Sequence, residues 1–218
     1  MAQLLLIDKP AGITSHDVVD RVRKITGERT VGHAGTLDPF ATGLLIVAVG
    51  REETKNIAQY VGMTKEYEAE ICIGRTSTTL DPESDVTDGP VVNMTEEMVK
   101  KAMQSLTGDI LQIPPMYSAI KIGGKKLYDL ARQGIEVERA PRPVTIFSFA
   151  LLETYSLQPT PYNLHCSIKC SSGTYIRALA RDLGLALGTV GYLTALRRTA
   201  IGDFRVENAV TLDALATS

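Results

Sequence analysis

The sequence has few cysteines, almost no net charge and no long apolar run. Its 218 residues include only three cysteines. A small and uneven number of cysteines argues against a disulfide framework, so a reducing cytoplasm is the expected compartment. The apolar run at residues 4–7 is four residues long and follows no basic segment, which predicts a strand rather than a signal peptide or a membrane span. The composition, 44% hydrophobic and 22% charged, is that of a globular protein with its own core.

The net charge of −2 argues against a nucleic-acid partner, but the charges are unevenly distributed. Residues 81–97 contain six acidic residues and no basic one, whereas residues 116–143 contain six basic residues and three acidic ones. Residues 165–205 contain six Lys or Arg residues and two Asp residues. Such asymmetry can build one positive face on a neutral protein, although an ordinary solvated surface gives the same pattern.

Apolar alternation and turn residues predict more strands than helices. Strands are expected at Leu4–Ile7, Leu44–Val49, Lys65–Ile73, Pro143–Tyr155, Leu164–Cys170, Thr189–Arg198 and Ile201–Val206. Helices are expected from the N-cap Ser15 to Gly27, near Thr54–Val61, from Thr95 to about Ser105, at Leu127–Arg132 and from Thr174 to Leu187. The remaining stretches, residues 75–94 and 113–126, are expected to be an acidic loop and an irregular segment. Short connections between strand pairs predict a single α+β domain, residues 1–218, on a mixed, largely antiparallel sheet.

The most informative stretch is residues 32–43, Gly-His-Ala-Gly-Thr-Leu-Asp-Pro-Phe-Ala-Thr-Gly, here called the Asp38 loop. It lies between two apolar segments, and its glycines leave room for close approach by another molecule. Pro39 favours an extended conformation at Asp38. A carboxylate held in this way can be a nucleophile, a base or simply a turn residue, and the loop alone leaves these alternatives open.

The Asp38 loop resembles the catalytic loop of the TruB-type pseudouridine synthases, which convert uridine 55 in the T arm of tRNA into pseudouridine. Further resemblances follow in family order and cover nearly the whole chain: Asp8–Ser15, Lys65-Glu66-Tyr67, Pro114–Ala119 with Leu127–Arg132, Ser172–Arg177 and Leu196–Thr199. The resemblance implies the pseudouridine synthase fold and an isomerase that requires no cofactor, because the reaction involves no redox change and no gain or loss of atoms.

The resemblance assigns the catalytic roles to Asp38, Tyr67 and Arg177. An ionised Asp38 would attack the sugar or the base, or abstract a sugar proton, and Arg177 would hold its carboxylate in place. The target uridine must be flipped out of the folded RNA, and Tyr67 would stack on it and help to remove the proton from C5. The remaining pocket residues by resemblance are His33, Tyr175 and Leu196. Lys65 shares a strand face with Tyr67 and would contact phosphate or buttress the site.

The basic stretch is similar to the family's RNA-gripping insertion, at about residues 113–142. Tyr117 and four basic side chains, Lys121, Lys125, Lys126 and Arg132, are expected to contact the tRNA backbone. Because Gly123-Gly124 allows movement, the segment is expected to be mobile without RNA.

Two features depart from the family's pattern. Thr78 stands where many relatives have an earlier Asp, although Asp81 keeps the later acid. The chain also ends about a dozen residues after Arg205, and no C-terminal PUA domain is expected. No metal site is expected, since His16, His33 and His165 are scattered along the sequence. The enzyme is also expected to be a cytoplasmic monomer that needs no membrane or protein partner. The alternatives are a non-catalytic tRNA-binding or tRNA-folding factor, and a synthase that acts on another RNA or is guided by a small RNA.

Overall fold

The computed structural model describes residues 2–154 and 161–217. Its strands are β1 (Gln3–Lys9), β2 (Val31–Ala34), β3 (Thr42–Val49), β4 (Lys65–Ile73), β5 (Arg75–Ser77), β6 (Val86–Asp88), β7 (Gly108–Gln112), β8 (Lys121–Ile122), β9 (Lys125–Lys126), β10 (Arg142–Thr154), β11 (Tyr162–Cys170), β12 (Gly191–Ile201) and β13 (Phe204–Arg205). Its α-helices are α1 (Ser15–Thr26), α2 (Arg51–Lys55), α3 (Ile57–Gly62), α4 (Glu96–Ser105), α5 (Leu127–Arg132), α6 (Ile176–Ala186) and α7 (Leu212–Ala216), and Val206–Asn208 form a 3-10 turn.

The largest sheet has the strand order β1-β3-β12-β4-β11-β10-β7, with β2 paired to β3 and β13 paired to β12. Strands β1 and β2 run antiparallel to β3, and β10 runs antiparallel to β7. Strand β12 runs parallel to β3, with Arg198 opposite Gly43. The predicted α+β fold on a mixed, largely antiparallel sheet is therefore confirmed.

Two compact units make up the chain. The loop unit comprises Met1–Ala69, Ser167–Ser172 and Ala195–Ser218, and the insertion unit comprises Glu70–Cys166 and Gly173–Thr194. Strands β4, β11 and β12 pass from one unit into the other. The single-domain organisation expected from the sequence stays a prediction.

The core of the loop unit forms on both faces of β1 and β3. On one face, Val18, Val19 and Val22 of α1 pack with alternate residues of these strands, and on the other face Leu44 and Ile46 pack with residues near the C-terminus. Strand β3 is almost completely buried because both of its faces are covered. Each fully buried aliphatic side chain contributes about 1.5–3 kcal/mol to the stability of the folded state. The Asp38 loop is thus attached to one of the most firmly packed strands.

The structure corrects the start of two helices. Helix α1 is capped by Thr14, whose hydroxyl accepts from the Asp17 N–H while the Asp17 carboxylate accepts from the Thr14 N–H. Ser15 does not cap it, because its side chain bonds to the Asp38 loop instead. Helix α6 begins at Ile176, two residues after Thr174, and its N-cap residue is Tyr175.

Three stretches contain more structure than the sequence predicts. The single helix expected near residues 54–61 is two short helices, because the chain turns at Asn56. The expected acidic loop contains the hairpin β5–β6, and the irregular segment contains the hairpin β8–β9. Strand β7, at the edge of the largest sheet, was not predicted. Tyr155, the expected end of β10, lies outside the described residues.

Candidate active site

Two glycines shape the Asp38 loop. The centre of the loop, residues 35–41, connects β2 to β3, and the backbone has positive φ at Gly35 (90°) and at Gly43 (103°). A Cβ on Gly43 would lie 2.3 Å from the carbonyl oxygen of Arg198, on the strand that runs beside it. A side chain at that position is therefore excluded both by the conformation and by the packing.

Backbone hydrogen bonds hold the loop on both sides of Asp38. The Leu37 N–H donates to Ser15 Oγ (2.9 Å), and Ser15 Oγ donates to the Leu37 carbonyl (3.1 Å). The Pro39 carbonyl accepts from the Gly12 N–H (2.9 Å) and from Lys9 Nζ (3.2 Å). Asp38 itself is half-buried. Its carboxylate is thus presented by a backbone that is fixed immediately before and after it.

Tyr67, on β4, lies within electrostatic range of Asp38. Its side chain is buried, and burial is the main reason why the pKa of its hydroxyl is raised. The charges of Cys170 and Asp38 raise the pKa further, whereas the Arg198 guanidinium lowers it through its charge and a side-chain hydrogen bond. Asp38 and Tyr67, two of the three predicted catalytic residues, are therefore close together in the loop unit.

Lys65 precedes Tyr67 on the same buried face of β4. Its Nζ donates to the carbonyl oxygens of Val61 (2.8 Å) and Met63 (2.7 Å). Burial, followed by the charge of Arg198, lowers the pKa of Lys65 to about 8. Because the side chain is buried and bonded to carbonyls, the structure favours buttressing over phosphate contact for this residue.

His33 and Leu196 lie on neighbouring elements of the same unit. His33 is half-buried on β2, and its pKa is lowered by burial and by the charges of Arg198 and His16, against the effect of a hydrogen bond with the Gly35 backbone. Its imidazole is therefore neutral at pH 7. Leu196 is buried on β12. Its burial is compatible with the predicted pocket wall and equally with core packing.

The motif containing Leu196 holds a residue whose importance the sequence reasoning missed. Arg198 lies two positions further along β12, so both side chains point to the same buried face. The Arg198 side chain is 1% exposed and donates to the carbonyl oxygens of Leu44 (2.8 Å), Gly35 (3.0 Å) and Thr36 (3.4 Å). The period-two alternation around Leu196 was the available signal.

The insertion unit contains Arg177 in a buried ion pair. Arg177 Nη1 lies 3.0 Å from Asp81 Oδ2 and also donates to the Thr79 carbonyl (2.9 Å), while Nη2 donates to the Tyr117 carbonyl (2.8 Å). Both charged side chains are at most 6% exposed. Arg177 is therefore not a solvated residue on a helix face. Its pairing with Asp38 stays a prediction.

The loop around Asp81 is tightly organised. Ser77 Oγ donates to the Asp81 carbonyl (2.6 Å) and accepts from the Asp81 N–H (3.0 Å), and Thr79 Oγ1 donates to the Asp81 carboxylate. Leu80 adopts a positive φ of 62°, which is rare for a branched residue. Thr78, the departure from the family's pattern, is exposed. The retained acid, Asp81, is thus the residue of this loop that holds Arg177.

Tyr175 is fixed by a glutamine on the edge strand β7. Gln112 Oε1 accepts from the Tyr175 N–H (2.8 Å), and Gln112 Nε2 donates to the Tyr175 carbonyl (3.1 Å). Gln112 is 2% exposed. These two bonds hold the backbone from which the half-buried Tyr175 side chain extends. No sequence signal pointed to Gln112, because its partner is 63 residues away.

The RNA-gripping insertion presents exposed cations. Lys121 and Lys125 are exposed on the hairpin β8–β9, in which Lys121 pairs with Lys126. The side chain of Lys126 lies outside the described part of the structure. Exposed Arg132 stacks over the ring of Tyr128 at 5.4 Å. The predicted mobility of this segment stays a prediction.

Neither a metal cluster nor a membrane-spanning helix is found in the described ranges. No group of three or more His, Cys, Asp or Glu side chains there is placed to hold a metal ion. No α-helix in those ranges is long and apolar enough to cross a membrane.

Two family descriptions together match most of the sequence. Residues 23–176 match the "TruB family pseudouridylate synthase (N terminal domain)", and residues 177–218 match the "tRNA pseudouridylate synthase B C-terminal domain". The chain is 49% identical to tRNA pseudouridine synthase B of Mycobacterium sp. (strain KMS), over 98% of this chain and 71% of the relative. It is 50% identical to the protein of the same name from Nocardia farcinica, over 98% and 69% of the two chains.

Solved structures with a similar fold are found at lower sequence identity. The fold is similar to a chain in the "Crystal Structure of a Cbf5-Nop10-Gar1 Complex", with a TM-score of 0.75 and 29% identity, over 98% of this chain and 53% of that one. A chain in the "Structure of H/ACA RNP bound to a substrate RNA containing 2'-deoxyuridine" gives a TM-score of 0.71 and 26% identity, over 98% and 52%. The chain thus spans about half the length of these solved chains.

Proposed function

The chain belongs to the TruB family of pseudouridylate synthases, and we propose that it converts uridine 55 in the T arm of tRNA into pseudouridine. The observation that carries the proposal is the geometry of Asp38, a half-buried carboxylate on a loop whose backbone is held on both sides, within electrostatic range of Tyr67. A fixed carboxylate beside a buried aromatic ring suits the capture of a flipped-out nucleoside.

The reaction exchanges one glycosidic bond for another. The N1–C1′ bond breaks, the uracil ring turns, a C5–C1′ bond forms and the C5 proton leaves. A carboxylate such as Asp38 can act as the nucleophile at C1′ or C6, or as the base that removes a sugar proton. All three routes balance atoms and electrons without a cofactor, and we propose that none is required.

Residues around Asp38 would receive the extruded base. The ring of Tyr67 would stack on the uracil, and its oxygen would take the C5 proton. Neutral His33 would hold the loop beside the flipped base, and Leu196 and Tyr175 would line the pocket. Gln112 supports this role for Tyr175 because it fixes the backbone of that residue with two hydrogen bonds.

Arg177 is proposed as the group that orients Asp38. Its described bonds to Thr79, Asp81 and Tyr117 hold the guanidinium in one place, at low exposure. A guanidinium has five N–H donors in a planar fork, so the same group can serve a second carboxylate. The Asp81 charge compensates the buried cation, which keeps the folded state from carrying an uncompensated charge.

The insertion at about residues 113–142 is proposed to grip the RNA. Exposed Lys121, Lys125 and Arg132, together with Lys126, would neutralise phosphates of the T arm.

We further propose that the chain works as a monomer in one catalytic domain, without a protein partner. Because its substrate is tRNA, the proposed compartment is the cytoplasm.

Tritium release tests the function directly. A T-arm RNA carrying tritium at uridine C5 is incubated with the wild type, with Asp38→Asn and with Asp20→Asn, a control on an exposed face of α1. We expect release from the wild type and from Asp20→Asn alone. RNA binding without release by the wild type would support a tRNA-folding factor, and equal release by Asp38→Asn would refute the role of Asp38. Release only from RNAs other than the T arm would indicate a different substrate.

A further inference from the structure

The two ends of the RNA-gripping insertion meet at Gln112. Strand β7 ends at Gln112, immediately before the insertion, and β10 begins at Arg142, where the insertion ends. In the antiparallel pairing of these two strands, Gln112 lies directly opposite Arg142. We call this pair of residues the root of the insertion. The Gln112 side chain is 2% exposed, so the root contains a buried amide at the point from which the insertion extends.

The Gln112 side chain connects the root to Tyr175. Its Oε1 accepts from the Tyr175 N–H (2.8 Å), and its Nε2 donates to the Tyr175 carbonyl oxygen (3.1 Å). The same carbonyl oxygen also accepts from the Leu179 N–H (3.1 Å), in the first turn of α6. One amide thus binds both backbone groups of Tyr175, as a neighbouring strand would, and fixes the orientation of that backbone.

Two arginines of α6 bind the first residues of the insertion. Arg181 Nη2 donates to the Ile113 carbonyl oxygen (3.0 Å), and Arg177 Nη2 donates to the Tyr117 carbonyl oxygen (2.8 Å). Because the two arginines are four residues apart, they lie on the same face of the helix. The start of the insertion is therefore fastened to the helix that Tyr175 precedes, in addition to the bonds from its root.

We propose that Gln112 couples the RNA-gripping insertion to the uridine pocket, because it makes the position of Tyr175 depend on the position of the root. The inference rests on the proposed function, which assigns Tyr175 to that pocket and the insertion to the T arm. Water cannot replace the hydrogen bonds of a buried amide, so a shift of the root either moves Tyr175 or leaves polar groups unpaired.

The coupling acts on the rate of the reaction rather than on RNA affinity. Gln112 is a positioning residue, since it acts on the reaction through Tyr175. Binding energy from the insertion, which is remote from the reacting atoms, is used in this way to place a wall of the pocket. Losing Gln112 should therefore lower the rate on bound RNA and leave the phosphate contacts of the insertion intact.

Fluorine NMR of Tyr175 tests the positioning without requiring activity. All eight tyrosines are replaced by 3-fluorotyrosine, and Tyr175→Phe identifies the Tyr175 signal. Gln112→Met has a similar length but cannot donate to the Tyr175 carbonyl, and it should shift or broaden this signal in the RNA-free protein. Gln104→Met, at an exposed position of α4, is the matched control and should leave the signal unchanged. An unchanged Tyr175 signal in Gln112→Met would overturn the proposal.

The coupling itself is tested with a T-arm RNA that lacks the uracil at position 55. This RNA can occupy the insertion while it leaves the pocket without a base. At saturation, established by fluorescence anisotropy of labelled RNA, it should shift the Tyr175 signal in the wild type and in Gln104→Met, but much less in Gln112→Met. An equal shift in Gln112→Met, or no shift in the wild type with the RNA bound, would contradict the coupling.

Single-turnover kinetics with intact T-arm RNA test the effect on the reaction. Since two neutral hydrogen bonds are lost, we expect about a 10-fold lower rate for Gln112→Met at saturating RNA, with a dissociation constant close to that of the wild type. In a Tyr175→Leu background the additional loss from Gln112→Met should be small. A full additional loss, or weaker RNA binding at an unchanged rate, would mean that Gln112 does not act through Tyr175.

These experiments separate the failure of the inference from the failure of the proposed function. An inactive wild type whose Tyr175 signal still depends on Gln112 would refute the proposed function and keep the coupling. Thermal unfolding is measured for every variant. If Gln112→Met does not fold, Gln112→Asn carries the tests, because it keeps a buried amide that is too short to make both bonds to Tyr175. Wild-type signals and kinetics in that variant would also overturn the proposal.

Discussion

Replacing Lys65 with methionine should change how the free energy of unfolding depends on pH. In the folded protein, burial and the neighbouring Arg198 charge lower the pKa of Lys65 from 10.5 to about 8. Between these two values the unfolded chain binds the proton and the folded chain does not, so stability rises with pH through this window. At about 1.4 kcal/mol per pH unit, the gap corresponds to about 3 kcal/mol.

The sign of this pH dependence follows from the protonation of Lys65 in the folded and in the unfolded chain. Below pH 8 both states of the chain hold the Lys65 proton, and the folded state carries the full cost of a buried cation. Above pH 10.5 the folded state carries none of it. Methionine has a similar length but no charge and cannot donate to the carbonyl oxygens of Val61 and Met63. Losing these hydrogen bonds changes the free energy of unfolding by the same amount at every pH, because methionine does not titrate.

Urea unfolding followed by circular dichroism, at pH values from 7 to 10.5 and constant salt, measures the effect. The wild type should gain about 3 kcal/mol relative to Lys65→Met across this range. Lys55→Met is the control, because Lys55 is largely exposed and its only described ion pair is with Glu52 on the surface of α2. Parallel curves for wild type and Lys65→Met would refute the reasoning, since they would mean that Lys65 titrates alike in the folded and unfolded chains.

Two further substitutions test the packing of the site. Asp81→Asn removes the anion from the buried pair with Arg177 and should lower the free energy of unfolding by about 3–5 kcal/mol in urea titrations; a loss under about 1 kcal/mol would show that the pair is not buried in solution. Gly43→Ala places a methyl group against the Arg198 carbonyl and should cost more stability than Gly12→Ala, where φ is also positive (84°) but no atom lies within 4 Å. The Gly12 variant should lose only about 1–2 kcal/mol, and equal losses would contradict the described packing.

Local sequence signals predicted the elements that depend on local forces. Strand β4 matches its predicted bounds because Tyr67, Ala69, Ile71 and Ile73 alternate along it and are buried on one face. Helix α5 matches because its apolar residues and Gly134 mark it. The hairpins β5–β6 and β8–β9 were not predicted, since their residues are mostly polar and the strands are only two or three residues long. Short polar strands lack the apolar alternation on which such predictions depend.

Long-range contacts account for what the sequence could not give. Ser15 looked like the cap of α1, but its hydroxyl is used by Leu37, 22 residues away, so Thr14 caps the helix. In the sequence Arg198 is only one residue of a motif, because its carbonyl partners lie more than 150 residues earlier in the chain. The Asp38 loop, by contrast, was identified from its own glycines and from the family resemblance.

The most direct test of the account is to locate the product in a whole tRNA. Unmodified tRNA is incubated with wild type or Asp38→Asn, digested, and analysed by mass spectrometry after a reagent that adds mass to pseudouridine but not to uridine. We expect pseudouridine at position 55 with the wild type and unmodified uridine there with Asp38→Asn, while both proteins bind the tRNA. Pseudouridine at position 55 with both proteins, or at another position with the wild type, would contradict it.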